Sequence, residues 1–580
     1  MGWKVSVSLA AVLALGLAGA AAPKRRPSAA RLADVDEVRK RLGLAPEYDD
    51  VRGIEKVKVA VLDYGFDGAR GPKRYLPKNA VLVEDYDPEF VRRFGLGEPT
   101  YRKSFAPQNA HGRLMAQIVW AVTGSHRRGP QFYLLNANGP TMLRRAVRYA
   151  IEAKVHVILF SGVFEGGGNG DGRGPINRVV DEALAAGIIW VNAAGNFGRC
   201  VYNGPVRAGE GGFLKFREGP DGDALRFRNR LDENTVTVTL TWDDYRDQED
   251  AGTAKDLDLY VEDWRGRRVG ASELKQVAGD RAAGQGESRN PRERVVLTDL
   301  PANLDYNYRI RVRARTNNFT DRDRIRVLVT AARDSYVDPV RKAPVRAVKF
   351  FDASGECEMY PPADNPRVLT VGDASTACST GPTADRRVKP DVVIEDSAAF
   401  FTNGEVSAGS SNAAAYFAGV VAVLKAAEPD LEARHLFGLA NGRVEQPAAK
   451  RARPARQPPP AKGGYAASSS PRAVPHPYAW AFPRGRSSDK APRYTLRPGP
   501  GGQLILSPYG PPARRLPRYS AYRGNYYADL YEKGNRPDAS PRSPPPPRPR
   551  SLAEARRSLD DRVWRTPSRV RLGRLVSADR

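Results

Sequence analysis

Between Lys56 and Pro205 short apolar runs alternate with stretches of helical spacing, and this alternation restricts the fold more than any other feature of the chain. VKVAVLD (57–63), AVLVEDY (80–86), QFYLLNA (131–137), KVHVILF (154–160) and GIIWVNA (187–193) have the length and composition of buried strands. HGRLMAQIVWAV, TMLRRAVRYAIEA and PINRVVDEALAA lie among them and carry an apolar stripe at helical period. Strands and helices in alternation predict a doubly wound parallel sheet with helices on both faces.

From about residue 206 the helical period disappears. GGFLKF, ALRFRNR, NTVTVTLTW, DLDLYVED, RERVVLTDL, YRIRVRAR and RIRVLVTAA follow one another, many alternating polar and apolar residues, which predicts an all-β sandwich set into the α/β domain. The α/β pattern then returns with a strand at PRVLTVGD (366–373) and a long helix at SNAAAYFAGVVAVLKAAE (411–428). The expected plan is an α/β domain in two parts, 46–205 and 346–440, around a sandwich at 206–345.

Both ends differ in composition. MGWKVSVSLAAVLALGLAGAAAPKRR has Lys4, an apolar run from Val5 to Ala22 and small residues at Ala18 and Ala20, the layout of a signal peptide over 1–22, with a short segment, 23–45, after it. Export to the outside or the cell envelope is therefore expected, and no later stretch is apolar enough to span a bilayer. At the other end, 441–580 is rich in Pro, Arg, Ser and Tyr and reads as a largely disordered tail. From residue 431 onward there are 30 Lys plus Arg against 10 Asp plus Glu, a surplus of 20 out of the whole chain's +26. The basic character thus belongs mostly to the tail. It suits tethering to an anionic cell-surface polymer, and it lacks a folded motif for specific nucleic-acid recognition. The three cysteines, Cys200, Cys357 and Cys378, match no zinc spacing; an exported chain could join two of them, and the sequence does not say which.

Four polar residues stand out by setting. Asp63 ends the VKVAVLD run, at the carboxyl end of a strand, where open α/β sheets place their sites. His111 opens the helix HGRLMAQIVWAV. Asn196 follows the GIIWVNA strand in VNAAGNFG. Ser411 lies in SAGSSNAAAYFAG (407–419) at the start of the long helix, whose positive end favours developing negative charge. Each alone has an ordinary explanation as a turn or capping residue. Together they supply a nucleophile, a base, a carboxylate to orient the base and an oxyanion donor.

These segments resemble motifs of the subtilase family of serine peptidases. DYGFDG at 63–68 is similar to the aspartate motif, His111-Gly112 to the histidine motif, AAGN (193–196) to the oxyanion motif, and SAGSSNAAAYFAG to the serine motif GTSMAxPxxAG. The order Asp, His, Ser is the subtilisin order. The resemblance implies a secreted endopeptidase acting on proteins or peptides, with Asp63, His111 and Ser411 as triad and Asn196 in the oxyanion hole. It also implies that FSGVFEGGG (160–168) is the substrate-binding strand, where Ser161 and Gly162 offer backbone groups to an extended peptide. Ala415 stands where the family has proline and Ser410 where it has threonine; neither change removes a reacting group. Between the signal and the first strand only about 30 residues remain, fewer than a folding propeptide domain needs.

The chemistry requires no cofactor. A structural calcium fits the reading, with Asp256 and Asp258 as weak candidate ligands, although solvent-facing alternation along a strand is the better explanation of both. Two other classes of function compete with the peptidase: an inactive adhesion or scaffold protein on the same fold, and a polyanion binder working through its tail.

Overall fold

The main sheet is built from the apolar runs. Its strands are β1 (Lys58–Asp63), β2 (Val81–Val83), β3 (Gln131–Asn136), β4 (Val157–Phe160), β5 (Ile189–Ala193), β6 (Leu369–Asp373) and β7 (Val392–Ile394). They pair in the order β2-β3-β1-β4-β5-β6-β7, every pairing parallel. The computed structural model describes residues 35–42, 44, 51–70, 76–96, 109–124, 129–248, 251–279, 283–337, 344–402, 406–440, 493–498 and 504–509. The signal-peptide expectation over 1–22 lies outside these residues.

Successive side chains of a strand point to opposite faces, and each face of this sheet has its own core. Val59 and Val61 of β1, with Phe132 and Leu134 of β3, pack with α1 (His111–Val122) and α4 (Ser410–Ala427). Ala60 and Leu62, with Tyr133 and Leu135, pack with α2 (Pro140–Glu152) and α3 (Pro175–Ala185) on the other side. Helices α2 and α3 each start at a proline that follows a glycine, where proline's fixed φ suits the first helical position and its missing N–H costs no bond. The α/β fold with a parallel sheet is therefore as the sequence predicts.

Beside two two-stranded ribbons, the described residues of 201–350 form two larger sheets. One holds strands 292–300, 234–242, 324–331 and 201–205; the other holds 268–272, 257–262, 308–314, 225–229 and 348–350. Their pairings are antiparallel. Val238, Leu240 and Val327 of the first sheet share one core with Phe227, Leu259 and Val312 of the second. Strands 201–205 and 348–350 lie just beyond the 206–345 span. GGFLKF is not a strand; Glu210–Gly212 forms a single helical turn and Phe213 makes an isolated bridge to Arg313, because three glycines in this stretch favour a turn.

In the tail the structure describes one hairpin, β8 (Arg493–Pro498) and β9 (Leu504–Tyr509), with β9 parallel to β7 and β8 antiparallel to β9. A short Gly/Pro-rich stretch, GPGGQ (499–503), between two strand-like runs is the sequence signal that the compositional reading of the tail passed over. The remainder of 441–580 lies outside the described residues. Cys200, Cys357 and Cys378 are all free thiols; burial pushes the Cys200 pKa up to about 11 and raises the other two. No helix among the described residues is long and apolar enough to cross a membrane.

Candidate active site

The structure brings the four singled-out residues together as two pairs, Asp63 with His111 and Asn196 with the start of the helix that carries Ser411. Asp63 is the last residue of β1 and is fully buried. One carboxylate oxygen, Oδ1, accepts the Tyr64 N–H at 2.8 Å, and Oδ2 lies 2.7 Å from His111 Nδ1. An acceptor there selects the tautomer with the proton on Nδ1 and leaves the buried Nε2 as the basic nitrogen.

His111 is the first residue of α1. Its N–H donates to Asn109 Oδ1 at 2.8 Å, and the Tyr64 ring stacks on the imidazole with centroids 5.5 Å apart. The glycine after it is demanded by packing. A Cβ on Gly112 would fall 2.4 Å from Phe66 Cε1 and 2.6 Å from Asp63 Cβ, so a larger residue would force apart the carboxylate and the helix that carries the imidazole.

Ser411 sits in the first turn of α4, where N–H groups lack partners within the helix. Its hydroxyl donates to the Ser161 carbonyl at 3.2 Å, and Ser161 Oγ donates to the Ser411 carbonyl at 3.3 Å. The segment after β4 therefore runs directly beside the serine. The Gly162 carbonyl accepts from Asn192 Nδ2 at 3.0 Å, so the carbonyls of both residues expected to offer backbone groups to a peptide accept hydrogen bonds from the protein itself.

Asn196 reaches the same helix start from the loop after β5. Its Oδ1 accepts the Ser410 N–H at 3.2 Å and the Ser410 hydroxyl at 3.0 Å, while Ser410 Oγ accepts the Gly195 N–H at 3.1 Å. With the oxygen so committed, the amide's nitrogen is the end left to donate. Gly409, at φ 121, is what lets Asn196 approach: a Cβ there would meet Oδ1 at 3.2 Å and Nδ2 at 3.4 Å. Sequence reasoning noted Ser410 only as a replacement for threonine and missed its part in orienting Asn196.

A second layer was not legible at all. Ser397 Oγ donates to Asp373 Oδ2 at 3.0 Å and accepts the Gly409 N–H at 3.0 Å; Asn412, beside the serine, donates to the Ser397 carbonyl at 3.0 Å. Burial raises the Asp373 pKa despite its hydroxyl donors Ser375 and Ser397. Asp373 and Ser397 belong to different strand-loop units, and only the fold brings them to the serine's helix.

The two calcium candidates sit elsewhere, Asp258 in strand 257–262 and Asp256 just before it. Asp258 is buried, accepts from Tyr260 Oη at 2.7 Å and faces Arg315 at 3.4 Å. Asp256 has its pKa pushed up to about 6 by burial and by the Asp258 charge. Among the described residues no group of three or more His, Cys, Asp or Glu is arranged to hold a metal ion.

The profile of the subtilase family matches residues 55–440. Among solved structures, the chain resembles the CspB protease of Clostridium perfringens, with 15% identity, a TM-score of 0.43, and coverage of 72% of this chain and 93% of that one. It also resembles MycP1 from Mycobacterium smegmatis, with 14% identity, a TM-score of 0.29, and coverage of 74% and 82%. MycP1 with its N-terminal propeptide removed gives 14% identity, a TM-score of 0.30, and coverage of 72% and 91%. No curated protein sequence matches.

Proposed function

Because this chain belongs to the subtilase family of serine peptidases, we propose that it is a catalytically competent, exported endopeptidase with Asp63, His111 and Ser411 as its triad. The observation that carries the reading is the 2.7 Å contact between buried Asp63 Oδ2 and His111 Nδ1. It supplies a fixed tautomer, the property on which general-base catalysis by histidine depends.

In this reading the Ser411 hydroxyl turns from the Ser161 carbonyl to His111 Nε2, which takes its proton as Oγ attacks the scissile carbonyl carbon. The vacated Ser161 carbonyl then accepts an N–H from the acyl side of the peptide, which lies along 161–163 as an added strand. The tetrahedral oxygen accepts from Asn196 Nδ2 and from an N–H at the start of α4, assisted by the helix dipole. His111 passes its proton to the departing amine, and an ester joins the acyl group to Ser411 Oγ. Water, deprotonated by His111 in turn, releases the acid and restores the hydroxyl. Asp63 orients the imidazole and stabilises its positive charge throughout, without itself taking the proton.

Export rests on the apolar segment Val5–Ala22. The basic tail adds a tether: Lys and Arg in such excess attract anionic polymers at low salt, and retention insensitive to salt would contradict this role.

The activity is tested with purified protein on casein, beside Ser411→Ala and His111→Ala. Hydrolysis lost in both variants supports the peptidase. A folded wild type that leaves casein intact favours the scaffold instead.

A further inference from the structure

Directly after the segment that touches Ser411 comes EGGGNGDGRG (165–174), in which six of ten residues are glycine. Gly167, Gly170, Gly172 and Gly174 have φ of 84, 79, 83 and 111. A stretch of this composition has little conformational preference of its own and loses much entropy on being fixed. Some of its order comes from the α/β domain: Ala384 N–H donates to the Gly170 carbonyl at 2.8 Å, and Gly172 N–H to Asp364 Oδ2 at 3.1 Å.

Further order comes from the antiparallel module. Arg326, on strand 324–331 and 5% exposed, donates from Nη2 to the Gly168 carbonyl at 2.7 Å and from Nη1 to the Met359 carbonyl at 2.9 Å. Its guanidinium lies over the Tyr360 ring, 4.5 Å from the centroid. Asn169 and Tyr245 exchange two bonds: Asn169 Nδ2 donates to the Tyr245 carbonyl at 3.0 Å, and Tyr245 N–H donates to Asn169 Oδ1 at 2.9 Å. Gly174 N–H donates to Asp247 Oδ1 at 2.9 Å. Three separate points of one loop are thus held by one module. Arg326 spends its buried charge on two backbone carbonyls, so it acts as a spacer of fixed length between Gly168 and Met359.

We infer that the β-rich module sets the shape of the substrate cleft, with Arg326 as the positioning residue that orders 165–174 and through it the 161–163 segment beside Ser411. This rests on the peptidase reading for its kinetic consequences, but not for the ordering of the loop. The module's effect falls on the acyl side of an extended peptide and not on the triad, whose contacts it does not touch.

The test compares wild type, Arg326→Met, Arg326→Lys and Asn169→Ala in the full chain. Three readouts are taken: the labelling rate with a small fluorophosphonate, kcat and KM on a peptide with several acyl-side residues, and amide exchange over 165–174. In Arg326→Met the labelling rate stays at the wild-type value, while kcat/KM for the long peptide falls about 10- to 100-fold, since displacement by an ångström costs that much. Exchange over 165–174 quickens, α4 stays protected, and Arg326→Lys recovers part of both. Should Arg326→Met not fold, Asn169→Ala carries the same comparison with a smaller loss. Labelling and hydrolysis that fall by one common factor, or exchange that is unchanged, overturn the inference. A wild type that neither labels nor cleaves overturns the peptidase reading alone, and the exchange comparison still decides whether the module orders the loop.

Discussion

Ser410 holds Asn196 by its backbone and its side chain at once, the N–H at 3.2 Å and the hydroxyl at 3.0 Å from the same amide oxygen. Removing Asn196 as alanine is expected to lower kcat about 100- to 1000-fold with KM little changed, the cost of one oxyanion donor. Ser410→Ala keeps the donor but loosens it, so its kcat loss is smaller, at most about 100-fold. Ser410→Thr keeps the hydroxyl and restores most of the rate. Steady-state kinetics on one peptide ester decides the order of the three variants.

Asp63→Asn removes the charge while preserving shape. Its amide nitrogen would face His111 Nδ1 as a donor, which favours the wrong tautomer and is expected to cost about 10,000-fold in kcat. The proton resonance of the Nδ1–H, present in wild type and absent in the variant, reports the tautomer independently of turnover.

Gly112→Ala tests whether the histidine's helix needs its close approach to β1. A Cβ at 2.4 Å from Phe66 and 2.6 Å from Asp63 cannot be accommodated without shifting one of them. Overpacking of this kind is expected to cost roughly 1–3 kcal/mol, read as a lower denaturant midpoint, and to reduce activity further by displacing the Asp63–His111 pair.

The antiparallel module carries its own pH dependence. Glu293 is buried, accepts from Ser272 Oγ and from Gln276 Nε2 at 2.6 Å, and has its pKa pushed up by burial from 4.5 to about 8. The native state therefore keeps a proton that the unfolded chain loses near 4.5. Stability contributed by this group is present below that value and is lost as the pH rises to about 8. Glu293→Gln is expected to flatten the fall in unfolding midpoint across that window; an unaltered slope would show that Glu293 does not titrate there.

Much of this was readable from residues alone. Strand runs such as VKVAVLD are recognisable because they are buried on both faces, and Asp63 marks its own place by ending one. The glycines of the motifs also have readable causes, since Gly409 and Gly112 sit where a Cβ would strike Asn196 or Asp63. Contacts made across long separations were not readable. Ser397 meets Asp373 and Gly409, and Arg326 meets Gly168, through packing of distant elements that leave no periodicity in the sequence. The tail hairpin was masked by its neighbours' composition, because its turn signal lies within a long stretch rich in Pro and Gly.

The central claim is that Ser411 is the nucleophile, and mass spectrometry of fluorophosphonate-treated protein tests it most directly. The account predicts a single adduct, mapped by proteolytic fragments to Ser411, absent from Ser411→Ala and greatly slowed in His111→Ala. An adduct on another serine, or labelling that persists in Ser411→Ala, would contradict it.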